Sequence, residues 1–200
     1  MGSREDILSR IAKVKPIGNE LSSDVSFISI SENLLETFML AAQNNGSQVT
    51  LIEDSTEVLA YINKNIAPDK RVIYNIREWQ EKNEEITDQE INDPHTLEDV
   101  EVAVIEGSIG VAENAAVWIT ESQMKYRALP FITQHLMVIL KADKIVPLLH
   151  DAYKFLTVEE GFSCFISGPS KTADIEQSLV IGAHGARSHH LFIITQNNAT

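Results

Sequence analysis

Apolar residues return along this chain in two rhythms, one near 3.6 and one that is nearly continuous over strand-length runs. Ile7, Leu8, Ile11 and Val14 fall on one helical face behind Ser3-Arg4-Glu5-Asp6, where a serine stands three residues before an acid. The spacing predicts a first helix that stops before Pro16. Residues 25–30 read as a strand. Leu34, Leu35, Phe38 and Met39 mark the inner face of a second helix, closed by Asn44-Asn45-Gly46. Residues 49–52 form a short apolar run. Asp54, with Glu57 three residues on, then opens a helix that turns Val58, Leu59 and Ile62 inward. Residues 71–76 again read as a strand.

Beyond a polar interruption the strands come densely, over 102–105, 115–120, 135–140, 162–166 and 191–195. A helix is expected over 144–155, because Ile145, Leu148, Leu149, Ala152 and Phe155 share a face and Pro147 is tolerated in a first turn. Alternating strands and helices imply βαβ units. The scarcity of charge inside the strands implies a sheet covered on both faces. The expectation is an α/β fold with a mostly parallel sheet flanked by helices. It is taken as one domain over 1–200, since no repeat, low-complexity tract or linker divides the chain.

Composition narrows the class. With 44% hydrophobic and 22% charged residues, the chain is neither disordered, collagen-like nor a coiled coil. No apolar run approaches the roughly 18 residues of a membrane span, and the polar start contains no secretory stretch. The single cysteine, Cys164, can neither close an internal disulfide nor ligate an iron–sulfur cluster alone. A reducing, cytoplasmic setting is expected. The net charge of −13 argues against a nucleic-acid backbone as partner. Most of that charge lies in residues 78–101, where ten acids face one base, Lys82. Such a block is either a solvated face or an acidic docking surface.

Candidate chemistry gathers in three glycine-bearing segments next to apolar runs. In 106–114, Gly107 and Gly110 permit close backbone approach, and Glu106 and Glu113 are carboxylates whose partial burial would suit acid–base work; a tight turn with solvated acids is the alternative. In 167–176, Ser167, Gly168, Ser170, Lys171 and Thr172 gather hydroxyls and a cation, with Asp174 and Glu176 behind them. Lys171-Thr172 is no P-loop, because Ser170 stands where glycine is needed. Hydroxyls there can hold a carboxylate or phosphate, or simply cap local turns. In 182–190, His184 sits between glycines, Gly185 follows it, and Arg187 suits a carboxylate or a surface ion pair. His189 and His190 are neighbours on a strand and point to opposite faces, so no metal site is expected from them. The G-x-G-x-x-G and G-x-S-x-G signatures are missing, and Cys164 reads as a buried thiol.

At these segments the chain resembles the lactate-utilisation (LUD) domain family. The resemblance rests on Gly110-Val111-Ala112-Glu113, on Leu129-Pro130 with His135 opening the next strand, and on Ile145-Val146-Pro147. It rests above all on the run from Ser167 through Arg187. It covers the second half of the chain, and the first half fits only in its strand–helix alternation. One departure stands out: where the family carries a small hydroxyl residue and then Gly-Thr, this chain has Asn114-Ala115-Ala116. If those hydroxyls touch a ligand in relatives, binding here is altered.

The resemblance implies the sheet topology of ribose-phosphate isomerases, glucosamine-phosphate deaminases and coenzyme A transferases. It also implies a part in oxidising L-lactate to pyruvate beside iron–sulfur subunits that would hold the electron-carrying clusters, with no cofactor in this chain itself. The expected function is a subunit of such a system, binding a small carboxylate or other anion in a loop-lined crevice. Glu106, Glu113, Asp174, Glu176 and His184 are the candidate acid–base groups. Gly110, Asn114, Ser167, Gly168, Ser170, Lys171, Thr172, Gly185 and Arg187 are the candidate contacts. Two alternatives stay open: a non-catalytic assembly or regulatory protein docking through 78–101, and a transferase or sugar-phosphate isomerase using Glu106. Association into a homo-oligomer is also open.

Overall fold

Valine- and isoleucine-rich segments pair side by side in a computed structural model, which describes residues 3–14, 33–82, 93–156, 161–173 and 179–195. The first elements are helices α1 (Ser3–Val14) and α2 (Leu34–Asn44), strand β1 (Gln48–Ile52), helix α3 (Thr56–Asn65) and strand β2 (Arg71–Asn75). The later strands are β3 (Val100–Glu106), β4 (Ile109–Val111), β5 (Ala116–Thr120), β6 (His135–Lys141), β7 (Ile145–Val146), β8 (Ser163–Ile166), β9 (Lys171–Ala173), β10 (Leu179–Ile181) and β11 (Ser188–Ile194). The strand expected over 25–30 lies outside the described residues.

Five strands form one parallel sheet in the order β1-β11-β6-β3-β2. Registers such as Leu191 with Val138, and Val104 with Met137, align the three long central strands. Their side chains alternate between two apolar layers, as a pleated strand requires. On one face Val102, Val104, Met137, Ile139 and Phe192 meet Val58 and Ile62 of α3. On the other, Ala103, Ile105, Leu136, Val138, Leu140, Leu191 and Ile193 meet Phe38 and Ala42 of α2 together with Val117 and Ile119 of β5. Cover on both faces explains why β3, β6 and β11 lack an alternating polar pattern. The fold is α/β, mostly parallel and flanked by helices.

β5 belongs to a second, four-stranded sheet in the order β7-β4-β5-β8, with only the β4–β7 pair parallel. β9 and β10 form a separate antiparallel hairpin, which the sequence pattern did not announce. The helix expected over 144–155 is corrected: only Leu149–Tyr153 is α-helical. Ile145 and Val146 are instead drawn into β7 by pairing with Gly110 and Val111, and Pro147 follows them. α1 forms as expected. Its Ile7, Leu8, Ile11 and Val14 stay exposed.

Candidate functional site

The parallel strands all deliver their carboxyl ends to one edge, the place where open α/β sheets keep their ligand crevice. β3 ends there at Glu106, β6 at Lys141 and β11 at Ile194, while β1 leads through Ser55 into α3 and β2 leads to Ile76 and Arg77. Together with Glu78, Gly107, Ser108, Gln123, Ile139 and Lys144 these residues line a cavity of about 320 Å³. Gly107 is set by packing: a Cβ there would collide with Val117 Cγ1 and stand 3.3 Å from Val138 Cγ1. Its amide donates to Ile139 O at 2.8 Å, and the Ser108 amide donates to Trp118 O at 2.9 Å. These bonds seat the end of β3 between the two sheets and fix the position of the Ser108 side chain.

The charges are unevenly placed. Burial pushes the Glu106 carboxyl above its ordinary value; the backbone N–H and guanidinium of Arg77 and the charge of Lys141 oppose that rise, and Glu78 adds to it. Ser55 Oγ donates to Glu78 Oε2 at 3.1 Å and accepts from Trp79 Nε1 at 3.2 Å, so its hydroxyl is engaged. Ser108 Oγ donates to Gln123 Oε1 at 2.8 Å. Lys144 lies 3.8 Å from Asp143 Oδ2. Three cations, the Gln123 side-chain amide and a half-buried carboxyl with a raised pKa can hold a small anion and exchange a proton with it.

A second polar cluster forms at the opposite, amino edge of the sheet. Asn45 Nδ2 donates to Asn114 O at 2.9 Å and to Ser167 Oγ at 2.8 Å, and Ser167 Oγ donates to Asn114 O at 2.7 Å. Gly168 has φ +81°, and a Cβ there would lie 2.7 Å from Asn45 O. Ser170 N donates to Ala186 O and Gly182 N donates to Ser170 O, both at 2.9 Å; Arg187 N donates to Gln134 O at 2.8 Å. A Cβ on Gly185 would sit 3.0 Å from Ser170 Cβ. Lys171 and Thr172 pair with Ile181 and Val180 in the β9–β10 hairpin. His184 and Arg187 are exposed in the loop before β11.

The three segments singled out by sequence therefore occupy two places. Of the candidate acid–base groups and contacts Glu106 alone lines the carboxyl-edge crevice, with Gly107 of the same segment beside it. Asn114, Ser167, Gly168, Ser170 and Gly185 are joined at the amino edge, because 167–170 follows β8 of the second sheet and 182–187 precedes β11. Glu113, beside Asn114, accepts from Leu149 N at 2.6 Å and caps that short helix. Gly110 is buried in β4, where a Cβ would meet Leu140 Cδ2 at 2.7 Å. Asp174 and Glu176 lie outside the described residues. Sequence reasoning missed Ser55, Arg77, Glu78, Gln123, Lys141 and Lys144. The available signal was position, since most stand within a few residues of a strand's carboxyl end.

His189 and His190 face opposite sides of β11, both buried. His189 Nδ1 bonds Ser47 Oγ and His190 Nε2 bonds Thr50 Oγ1, each at 2.8 Å. Burial lowers both from 6.5 to about 4, and for His189 the neighbouring His190 adds to the effect. Among the described residues, no three His, Cys, Asp or Glu side chains are grouped to hold a metal ion, and no helix is long and apolar enough to cross a membrane.

A profile of the LUD domain matches residues 35–194. Over 99 residues the chain is 35% identical to a lactate utilization protein C of Bacillus pumilus (strain SAFR-032), covering 46% of this chain and 41% of that protein. Over 105 residues it is 31% identical to a protein of the same name from Geobacillus sp. (strain WCH70), covering 49% and 44%. The matched portions span less than half the length of these relatives. Among solved structures, a DUF162 family protein from Deinococcus radiodurans superposes with a TM-score of 0.59 at 16% identity, covering 80% of this chain and 95% of that one. That likeness speaks to the fold alone.

Proposed function

The chain belongs to the LUD domain family, and from that premise we propose that it serves lactate utilisation by holding a small carboxylate, L-lactate or its product pyruvate, in the carboxyl-edge crevice. The observation that carries this reading is the placement of Arg77, Lys141 and Lys144 around the half-buried Glu106 in a single cavity. A carboxylate entering there gains charge-assisted hydrogen bonds while leaving water. Glu106, held toward its protonated form by burial, is the group positioned to exchange a proton with it. The names of the curated relatives supply the substrate class.

Oxidation of lactate to pyruvate removes two electrons and two protons. In this reading the electrons leave through iron–sulfur partner subunits in a reducing, cytoplasmic setting, since one cysteine cannot build a cluster. Calorimetric titration of the chain with L-lactate and pyruvate tests the site. Arg77→Ala and Lys141→Ala should each weaken binding about tenfold or more, the loss of one charge-assisted hydrogen bond. Affinities unchanged in both variants would remove the crevice from the account. The system-level claim is checked by mixing the chain with its iron–sulfur partners: leaving the chain out should depress lactate oxidation.

A further inference from the structure

Resting on the anion reading of the same crevice, we infer that Ser108 and Gln123 form a couple that reads a hydroxyl group beside the bound carboxylate. The argument begins with which end of the Gln123 amide faces which way. Thr120 N lies 3.0 Å from one terminal atom of Gln123, and a backbone N–H can only donate. That atom is therefore the oxygen. The Ser108 hydroxyl at 2.8 Å and the Thr120 hydroxyl at 3.2 Å donate to the same oxygen. Three donors fill it, and the Nε2 group, turned the other way, is left to donate to a ligand.

The same geometry settles Ser108. Its one hydroxyl proton is committed to Gln123 Oε1, so toward the crevice the oxygen can only accept. Both residues line the cavity. One neutral donor and one neutral acceptor side by side complement a group that both accepts and donates, which is an alcohol. A ketone satisfies Gln123 but leaves Ser108 without a proton to accept, and a methylene satisfies neither. Leaving a polar group dry and unpaired is what makes such a site discriminate. The other crevice serine, Ser55, has its hydroxyl engaged by Glu78 and Trp79 and is not part of the couple.

The test is titration calorimetry with L-lactate, pyruvate and propionate on the whole chain and on Ser108→Ala, Gln123→Glu and Lys141→Ala. The wild-type protein should bind L-lactate about tenfold more tightly than propionate, with pyruvate between them. Ser108→Ala should bring the L-lactate-to-pyruvate affinity ratio to about one, because it removes both the acceptor that L-lactate uses and the acceptor that pyruvate leaves unpaired. Gln123→Glu keeps an oxygen for the Thr120 amide, so the local cap persists; its charge weakens all three ligands, and the loss of the donor should bring the pyruvate-to-propionate ratio within the variant to one or below. Equal wild-type affinities for L-lactate and propionate, or a lactate-to-pyruvate ratio untouched by Ser108→Ala, would overturn the couple. The anion reading would survive that result if Lys141→Ala still weakened all three ligands. Should none of the three bind the wild-type protein, both fall.

Discussion

Acidification should destabilise this protein through two buried histidines that do not line the crevice. His189 and His190 are 1% and 6% exposed, and among the described residues their hydrogen-bond partners are the neutral hydroxyls of Ser47 and Thr50. His190 also stacks on Phe192 with ring centroids 4.0 Å apart, and Tyr61 meets its edge. Among the described residues no carboxylate is bonded to either ring, so an imidazolium there would be a buried charge without a counter-ion from them. Their pKa values fall from 6.5 to about 4 on folding. A depressed histidine contributes stability that is complete above 6.5 and is lost as pH falls toward 4, because the unfolded chain takes up the proton first. Between pH 8 and pH 5 the linkage relation gives a loss of about 2 kcal/mol per ring, roughly 4 kcal/mol for the pair. His190, nearer the surface, contributes the smaller share. Against the 5–15 kcal/mol typical of a domain, roughly 4 is a large fraction. Urea denaturation at pH 8, 7, 6 and 5, with a constant slope m, reads it directly. His190→Phe keeps the aromatic stack and should cut the pH-dependent loss by nearly half; His189→Gln should remove the other part. A wild-type loss below about 1 kcal/mol, or an undiminished loss in both variants, would refute the reasoning.

Other outcomes follow from the same geometry. Gly168→Ala places a Cβ in left-handed backbone and 2.7 Å from Asn45 O; it should cost about 2–4 kcal/mol, seen as a Tm drop of roughly 5–15 °C. Asn45→Ala deletes both amino-edge hydrogen bonds to Asn114 and Ser167 and should cost about 1–3 kcal/mol in chemical denaturation, leaving carboxylate affinity unchanged. Glu106→Gln mimics the protonated acid. Because folding raises the Glu106 pKa, the wild-type carboxyl favours the folded state at low pH and loses that advantage as pH rises. The variant should therefore gain stability relative to wild type between pH 4 and pH 8, in denaturation run at both values.

Continuous apolar runs carried most of the fold. β3, β6 and β11 are long enough, and buried enough on both faces, for local pattern and tertiary environment to agree. Ile145 and Val146 show where this fails. Their spacing with Leu149 and Ala152 is helical, yet pairing with β4 decides their conformation, and nothing local encodes a partner more than thirty residues away. β9 and β10 are too short for periodicity to register. The glycines are read from sequence as places where backbone comes close to a ligand; in the structure a Cβ on Gly107, Gly110 or Gly168 would meet protein atoms of Val117, Leu140 and Asn45. A sequence shows that backbone must come near something, not what it comes near. The crevice cations were harder still. Arg77, Lys141 and Lys144 are single charges at separate strand ends, and only the strand order brings them around Glu106.

The most direct test of the crevice is to map L-lactate onto the folded chain by amide chemical-shift perturbation. The account expects saturable shifts confined to Arg77, Gly107, Ser108, Gln123 and Lys141, around the carboxyl ends of the parallel strands. Shifts gathered instead at Asn45, Ser167–Lys171 and Gly182–Arg187 would place the ligand at the amino edge and contradict it.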